Sequence, residues 1–465
     1  MTTPYHRGEN IHMLRAELSL VEKIEMIQRH IEQNHFGNSQ IPACMLHDGG
    51  ISGKARRWEA KDFEGQSIRN FRCNRPSEPP IITPADWLNN ENSTMFCGEY
   101  LVSQVERYRV TKNQDALKEC ERAFWGIKAV AELSGRKNFG WLSKPFGEKV
   151  SPESSPDQNL CAVAGLWAFL PYANTEQAKW IRQIIPAIAA YWERISYTID
   201  FGDHVWDIRE DDAHVRIFWL INLLAYELVK DEQFQKVAER LERRYGDLKP
   251  ENASLFDAFQ KNDVTYFKNW RLAGEFAGAT LLFVPLTLSI LCEIRPEGKE
   301  IYLRTYRRAL ERGLIGLDPD FLGHYYQHEV KADGEEYVWR PVETRTPNTA
   351  ERKQMCAGEW GVHMYPHRAY WMDATSRLPV AYLNYLHCGG EPVSRIERIV
   401  RGIMKRLDFQ RIHWMLDPYR DQLVSELDYM RHALTSEIAN YVSAFWLGKS
   451  LGFWREEDLN MERSL

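Results

Sequence analysis

Several stretches of this chain gather side chains able to move protons, bind an anion or stack on a flat ring. Residues 140–169 read GWLSKPFGEKVSPESSPDQNLCAVAGLWAF, a loop rich in Gly, Pro, Ser and charge that gives way to an apolar run, with Asp157 and Gln158 at the change-over. A carboxylate placed there meets free N–H groups and the positive end of a helix dipole, which favours the ionised form. Asp157 is therefore expected to act as a base or hydrogen-bond acceptor rather than as an acid. The segment HVWDIREDDAHVRIFW sets Asp207, Glu210, Asp211, Asp212 and His214 within eight residues. Crowding raises the pKa of one member of a carboxylate pair, as a general acid at neutral pH requires, although the same acids also suit a solvated helix start.

In AGEWGVHMYPHRAYWMD, Glu359, His363, Tyr365, His367, Arg368, Trp371 and Asp373 stand together. His363 and His367 have the spacing of zinc ligands on a helix, but Pro366 between them opposes a helix carrying both on one face, and no metal is expected. Arg368 can hold a carboxylate with a forked pair of hydrogen bonds, Tyr365 and the histidines can relay protons, and Trp371 can stack. The alternative is a buried polar network tying the loop to the body. LGHYYQHEV adds His324, Tyr325, Tyr326, His328 and Glu329 on a segment that reads as a loop and a rim contact. KNWRLAGEFAG sets Trp270, Arg271 and Glu275 at the entrance to an apolar helix.

The elements that must position these groups are mostly helices. Residues 12–36 carry Leu14, Leu18, Val21, Ile24, Ile27 and Ile31 at spacings of three and four, one apolar stripe. Residues 37–95 read as loops with a small hairpin. From Asn92 onward helical strings come in pairs, a more apolar one followed by a more charged one, which suits an inner ring covered by an outer ring. Two parts follow: residues 1–95, a helix and loop-rich segment packed on the body, and residues 96–465, the all-α helical body. The clearest strand signal is EEYVWRPVET at 335–344, and no G-x-G-x-x-G or P-loop is present.

Composition narrows the partners. At 465 residues, 44% hydrophobic and 27% charged, the chain can bury a large core, and a net charge of −6 gives no general attraction for nucleic acid or anionic lipid. Eight scattered cysteines without a C-x-x-C pair read as buried thiols, and neither a secretory leader nor a membrane-length apolar run is evident, so a cytoplasmic protein is expected. Sixteen tryptophans exceed what such a core needs and suit the apolar faces of sugar rings.

The hairpin series, the Trp-rich loops and the stretch GWLSKPFG…SPDQ resemble the six-hairpin glycosidase superfamily across about residues 95–450. Its members are (α/α)6 toroids that include unsaturated glucuronyl hydrolases, related glucuronidases, sugar epimerases and, with an added β domain, polysaccharide lyases. The H-D-x-G-F and W-x-D-D-x-Y-M segments of the unsaturated glucuronyl type find their nearest approaches in Asp157-Gln158 and the Asp211-Asp212 pair. The resemblance implies a cofactor-free glycoside hydrolase acting on a uronic-acid-containing sugar through two carboxylates. These would be drawn from Asp157, Asp211, Asp212 and Glu359, with Arg368 on the substrate carboxylate. Gln158, His214, Trp270, Arg271, His324, Tyr365, His367 and Trp371 would line the binding site. A sugar epimerase or lyase would instead take a proton with His363, His367 or Tyr365. A helical binding protein without catalysis is the third reading, and homo-oligomer formation is left open.

Overall fold

The structure is a computed structural model that describes residues 10–50, 53–64, 83–200, 205–210, 212–248, 276–314, 326–330, 337–341, 371–414, 416–417, 422–423 and 431–459. Several of its helices start and stop where local chemistry says they should. Ser19 and Glu22 open α1 (Leu20–His30) with a reciprocal capping box, and Thr83 and Asp86 do the same for α2 (Pro84–Asn90), which has proline at its first position. Helix α3 (Ser93–Thr111) ends where Lys112 turns left-handed, and Asn113 then caps α4 (Gln114–Leu133) by accepting from the Asp115 N–H. After these come α5 (Pro156–Phe169), α6 (Thr175–Arg194), α7 (Asp212–Val229), α8 (Glu232–Leu248), α9 (Phe276–Ile294), α10 (Lys299–Gly313), α11 (Trp371–His387), α12 (Ser394–Lys405) and α13 (Ala439–Ser450).

Helix dominates the described residues, and two kinds of helix alternate. In α5, residues 158–166 are buried without a break, and in α13 residues 439–445 are too. Helices apolar on every side belong inside. By contrast α6 buries Ile181, Ile184, Ile185 and Ile188, and α12 buries Ile396, Ile399, Val400, Ile403 and Met404, in each case a single stripe. Each such isoleucine is worth roughly 1.5–3 kcal/mol when buried, enough to hold an amphipathic helix down on its neighbours.

The helices of the first kind touch in succession: α3 packs on α5, α5 on α7, α7 on α9, α9 on α11, α11 on α13, and α13 on α3. Those of the second kind lie against them, with α4 on α3, α6 between α5 and α7, α8 on α7, α10 on α9, α12 on α11 and α1 on α13. The α3–α5 contact is backbone on backbone: a Cβ added at Gly98 would sit 2.1 Å from the Cys161 carbonyl oxygen, and one at Gly165 would sit 2.7 Å from the Gly98 oxygen. Trp192 is fully buried against Trp141 and Phe218 and donates to Asn159 Oδ1 at 3.2 Å. Trp58, Trp141, Trp219 and Trp454 are buried as well, so part of the tryptophan surplus is spent on the core.

Strands are few and short. β1 (Met45–His47) lies in the segment read as loops with a local hairpin, but it pairs antiparallel with the distant β8 (Ala433–Thr435), His47 opposite Ala433. β2 (Thr198–Asp200) pairs with β3 (Val205–Asp207). β4 (Tyr326–Val330) pairs with β5 (Tyr337–Pro341), inside the expected strand at 335–344, and β6 (Leu416–Asp417) pairs with β7 (Gln422–Leu423). His328 and Glu329 therefore lie on a strand rather than in a loop. The described cysteines are free thiols, all buried except the half-buried Cys292. No helix among the described residues is long and apolar enough to cross a membrane.

Candidate functional site

At one end of the molecule the starts of four internally packed helices are tied together. Asp157 is the second residue of α5; it is not the cap, which falls at Ser155, but its carboxylate accepts from the Ser155 hydroxyl within the first turn. Gln158 is fully buried, and its amide donates to the Glu91 carbonyl at 2.7 Å, joining the start of α5 to the turn before α3. Lys144, also buried, donates to Glu91 Oε1 at 2.8 Å. Burial alone would lower the Lys144 pKa, but the charges of Glu91, Glu153 and Asp157 outweigh it and raise it. Deeper in, Arg377 of α11 bonds Glu437 at 3.1 Å and lies 3.9 Å from Glu99 of α3, while Asn440 of α13 donates to Glu99 at 3.3 Å. These groups are all buried, so each charge depends on the others for compensation.

The same end carries a histidine cluster around one carboxylate. The Cys44 N–H bonds the Asn89 carbonyl at 2.7 Å and the Ser436 N–H bonds the Cys44 carbonyl at 2.8 Å, which seats β1 and β8 beside the starts of α3 and α13. Where this strand pair ends, Asp48 accepts from His432 Nδ1 at 2.9 Å, from His413 Nε2 at 3.1 Å and from the Gly50 N–H at 2.8 Å. His12 Nε2 reaches the Asp48 carbonyl at 2.6 Å. His47 stacks on His432, ring centroids 5.0 Å apart, and meets Trp58 edge-on at 4.7 Å. Its Nδ1 accepts from the Gly49 N–H at 2.8 Å.

Burial would push the Asp48 pKa up, but the bonds from His413, His432 and Gly50 win and hold the carboxyl well below the usual carboxylate range. The Asp48 bond in turn raises the His432 pKa, whereas burial and nearby Arg56 lower that of His47. A carboxylate that orients one imidazole beside a second of lower proton affinity can pass protons. With the protons removed, it can offer two nitrogens and an oxygen to a metal ion.

The expected site residues are only partly placed. Asp157 and Gln158 stand together at the end just described. His214 is buried in the first turn of α7, its ring edge-on to Trp206 at 4.9 Å and near Phe283 at 5.1 Å. Asp212 and Trp371 are the first residues of α7 and α11, with backbone alone described. Asp211, Trp270, Arg271, His324, Glu359, His363, Tyr365, His367 and Arg368 lie outside the described residues. No protein-family model, no curated protein and no solved structure matches this chain.

The histidine cluster was missed by sequence reasoning. One signal was available: His47-Asp48 sets an imidazole beside a carboxylate just ahead of two glycines, Gly49 and Gly50. Its partners were not legible, because His413 and His432 stand 365 and 384 positions from Asp48.

Proposed function

We propose that this chain is an (α/α)6 toroid of the six-hairpin glycosidase type, and that it hydrolyses a uronic-acid-containing oligosaccharide or glycan at the end where the inner helices begin. The observation that carries this reading is the circuit of contacts through α3, α5, α7, α9, α11 and α13 back to α3, with an amphipathic helix against each. In such a ring the loops entering the inner helices share one mouth, which is where side chains distant in sequence can act on one sugar.

Hydrolysis needs one group to protonate the leaving oxygen and a second to assist water or attack the sugar carbon. Asp157 is the candidate for the second role, because it stands in the first turn of an inner helix at that mouth. Asp211, Asp212 and Glu359 are the candidates for the first, and Arg368 is the candidate partner of the substrate carboxylate. Asp212 has the best claim by position, since it opens α7 as Asp157 all but opens α5.

The test is a product assay on a panel of β-glucuronides and unsaturated uronides. New reducing ends are expected, with a loss on the order of 10²–10⁴-fold in Asp157→Asn and in Asp212→Asn. Full hydrolytic activity in both variants would overturn the assignment. Absorbance of a new double bond without new reducing ends would point to a lyase instead.

A further inference from the structure

We propose that His47, Asp48 and His432 form a binding site for a divalent first-row transition ion, with zinc the simplest case. One ligand atom from each lies within 4.8 Å of the others. Asp48 Oδ1 is 2.9 Å from His432 Nδ1 and 3.7 Å from His47 Nδ1. Bonds of about 2.0–2.1 Å in a tetrahedral site put neighbouring ligand atoms about 3.3 Å apart, so these spacings bracket what an ion requires. Two imidazoles and one carboxylate make a mixed N/O set suited to zinc, iron or cobalt rather than to calcium or magnesium.

The surroundings resemble the outer shell of a metal centre. His413, only 2% exposed on its side chain, holds the second carboxylate oxygen at 3.1 Å, and its other ring nitrogen faces the Phe409 carbonyl at 3.1 Å. A carboxylate ligand pinned from behind is how such sites fix orientation and raise affinity. Arg56, whose charge acts on His47, is engaged by both oxygens of Asp62 at 2.6 and 2.7 Å, which offsets its repulsion of an incoming ion, and Arg431 acts on His432. The backbone just after the Asp48 ligand is constrained as well. Gly49 and Gly50 have φ of 83° and 54°, and a Cβ at Gly49 would meet the Lys54 oxygen at 2.2 Å.

Three adjustments accompany binding, the first being release to solvent of the proton that His432 Nδ1 donates to Asp48 Oδ1. The Gly49 N–H bond to His47 Nδ1 is exchanged for the ion. The His47 and His432 rings, 12° from parallel, cannot both aim at one point until one turns. His432 is the one to turn, because its side chain is 40% exposed whereas that of His47 is 14% exposed. Three protein ligands leave at least one position for water or for an oxygen of a bound molecule.

The inference does not depend on the hydrolase reading and is tested without turnover. The full chain, stripped with a chelator, is titrated with Co²⁺ while the visible absorption bands of the ion are followed, and zinc is then used to displace it. One equivalent is expected, with the intense bands of a four- or five-coordinate site. Weakening should be tenfold to a hundredfold in His413→Gln, as for loss of an outer-shell partner, and greater in Asp48→Asn and His432→Gln. Since Asp48→Asn removes a buried acceptor, the half-exposed His432→Gln variant, with an unchanged thermal midpoint, serves as the folded reference. Absence of Co²⁺ binding by the wild-type chain overturns the site. So does an unchanged affinity in a folded His47→Gln/His432→Gln double variant.

Discussion

His35 is wholly inside the protein, where its Nδ1 meets the Ala43 carbonyl at 2.7 Å, and burial lowers its pKa to about 4. Its neighbour His30, 5.1 Å away and edge-on, is held well below the ordinary histidine value by the same burial. In the unfolded chain both titrate near 6.5, so below that pH the unfolded state takes up protons that the fold refuses. Stability contributed by neutral His35 is therefore full above pH 6.5 and declines as pH falls toward about 4. Unfolding free energies from urea titrations across that window should fall faster in the wild type than in His35→Gln, by up to about 1.4 kcal/mol per pH unit. Parallel curves would contradict the assignment. None of this was readable beforehand, because the sequence marks His35 as the end of a helical stripe and says nothing of the fold closing over it.

Between α3 and α5, packing depends on two glycines that let the backbones touch. Gly98→Ala would push a methyl group to within 2.1 Å of the Cys161 carbonyl oxygen, an atom that cannot step aside as a flexible side chain would. The expected cost is about 1–3 kcal/mol, read as a lowered denaturation midpoint with the cooperative slope retained. A neutral Gly98→Ala would mean that the two helices stand farther apart than described. Helices were the legible level of this protein. The alternation of apolar and charged strings was readable as pairs, and it survived the prolines at 186, 285 and 379, which lie inside α6, α9 and α11. Proline is costly inside a helix, but these segments stay helical because burial on their neighbours outweighs a lost bond. Strand pairing was illegible for the opposite reason. β1 and β8 have three residues each, too few to show a period, and they come from opposite ends of the described chain.

Across the whole molecule, the buried group of Glu99, Arg377, Glu437 and Asn440 ties the first internally packed helix to the last two. Together with β1 and β8 it joins the two ends of the described chain, so the last helices and the first share one floor. Gln158, next to Asp157, is tied to Glu91 before the first of these helices, and the strand pair that leads into Asp48 is tied to Asn89 and Ser436, an arrangement that no single stretch of sequence contains. The most direct measurement is an experimental structure of crystals soaked with a β-glucuronide or with glucuronate. Six inner helices in a closed ring are expected, with the sugar at the end where they begin, Asp157 in reach of its ring and Arg368 on its carboxylate. An open arrangement of the helices, or sugar bound only on the outer, amphipathic layer, would contradict the proposal.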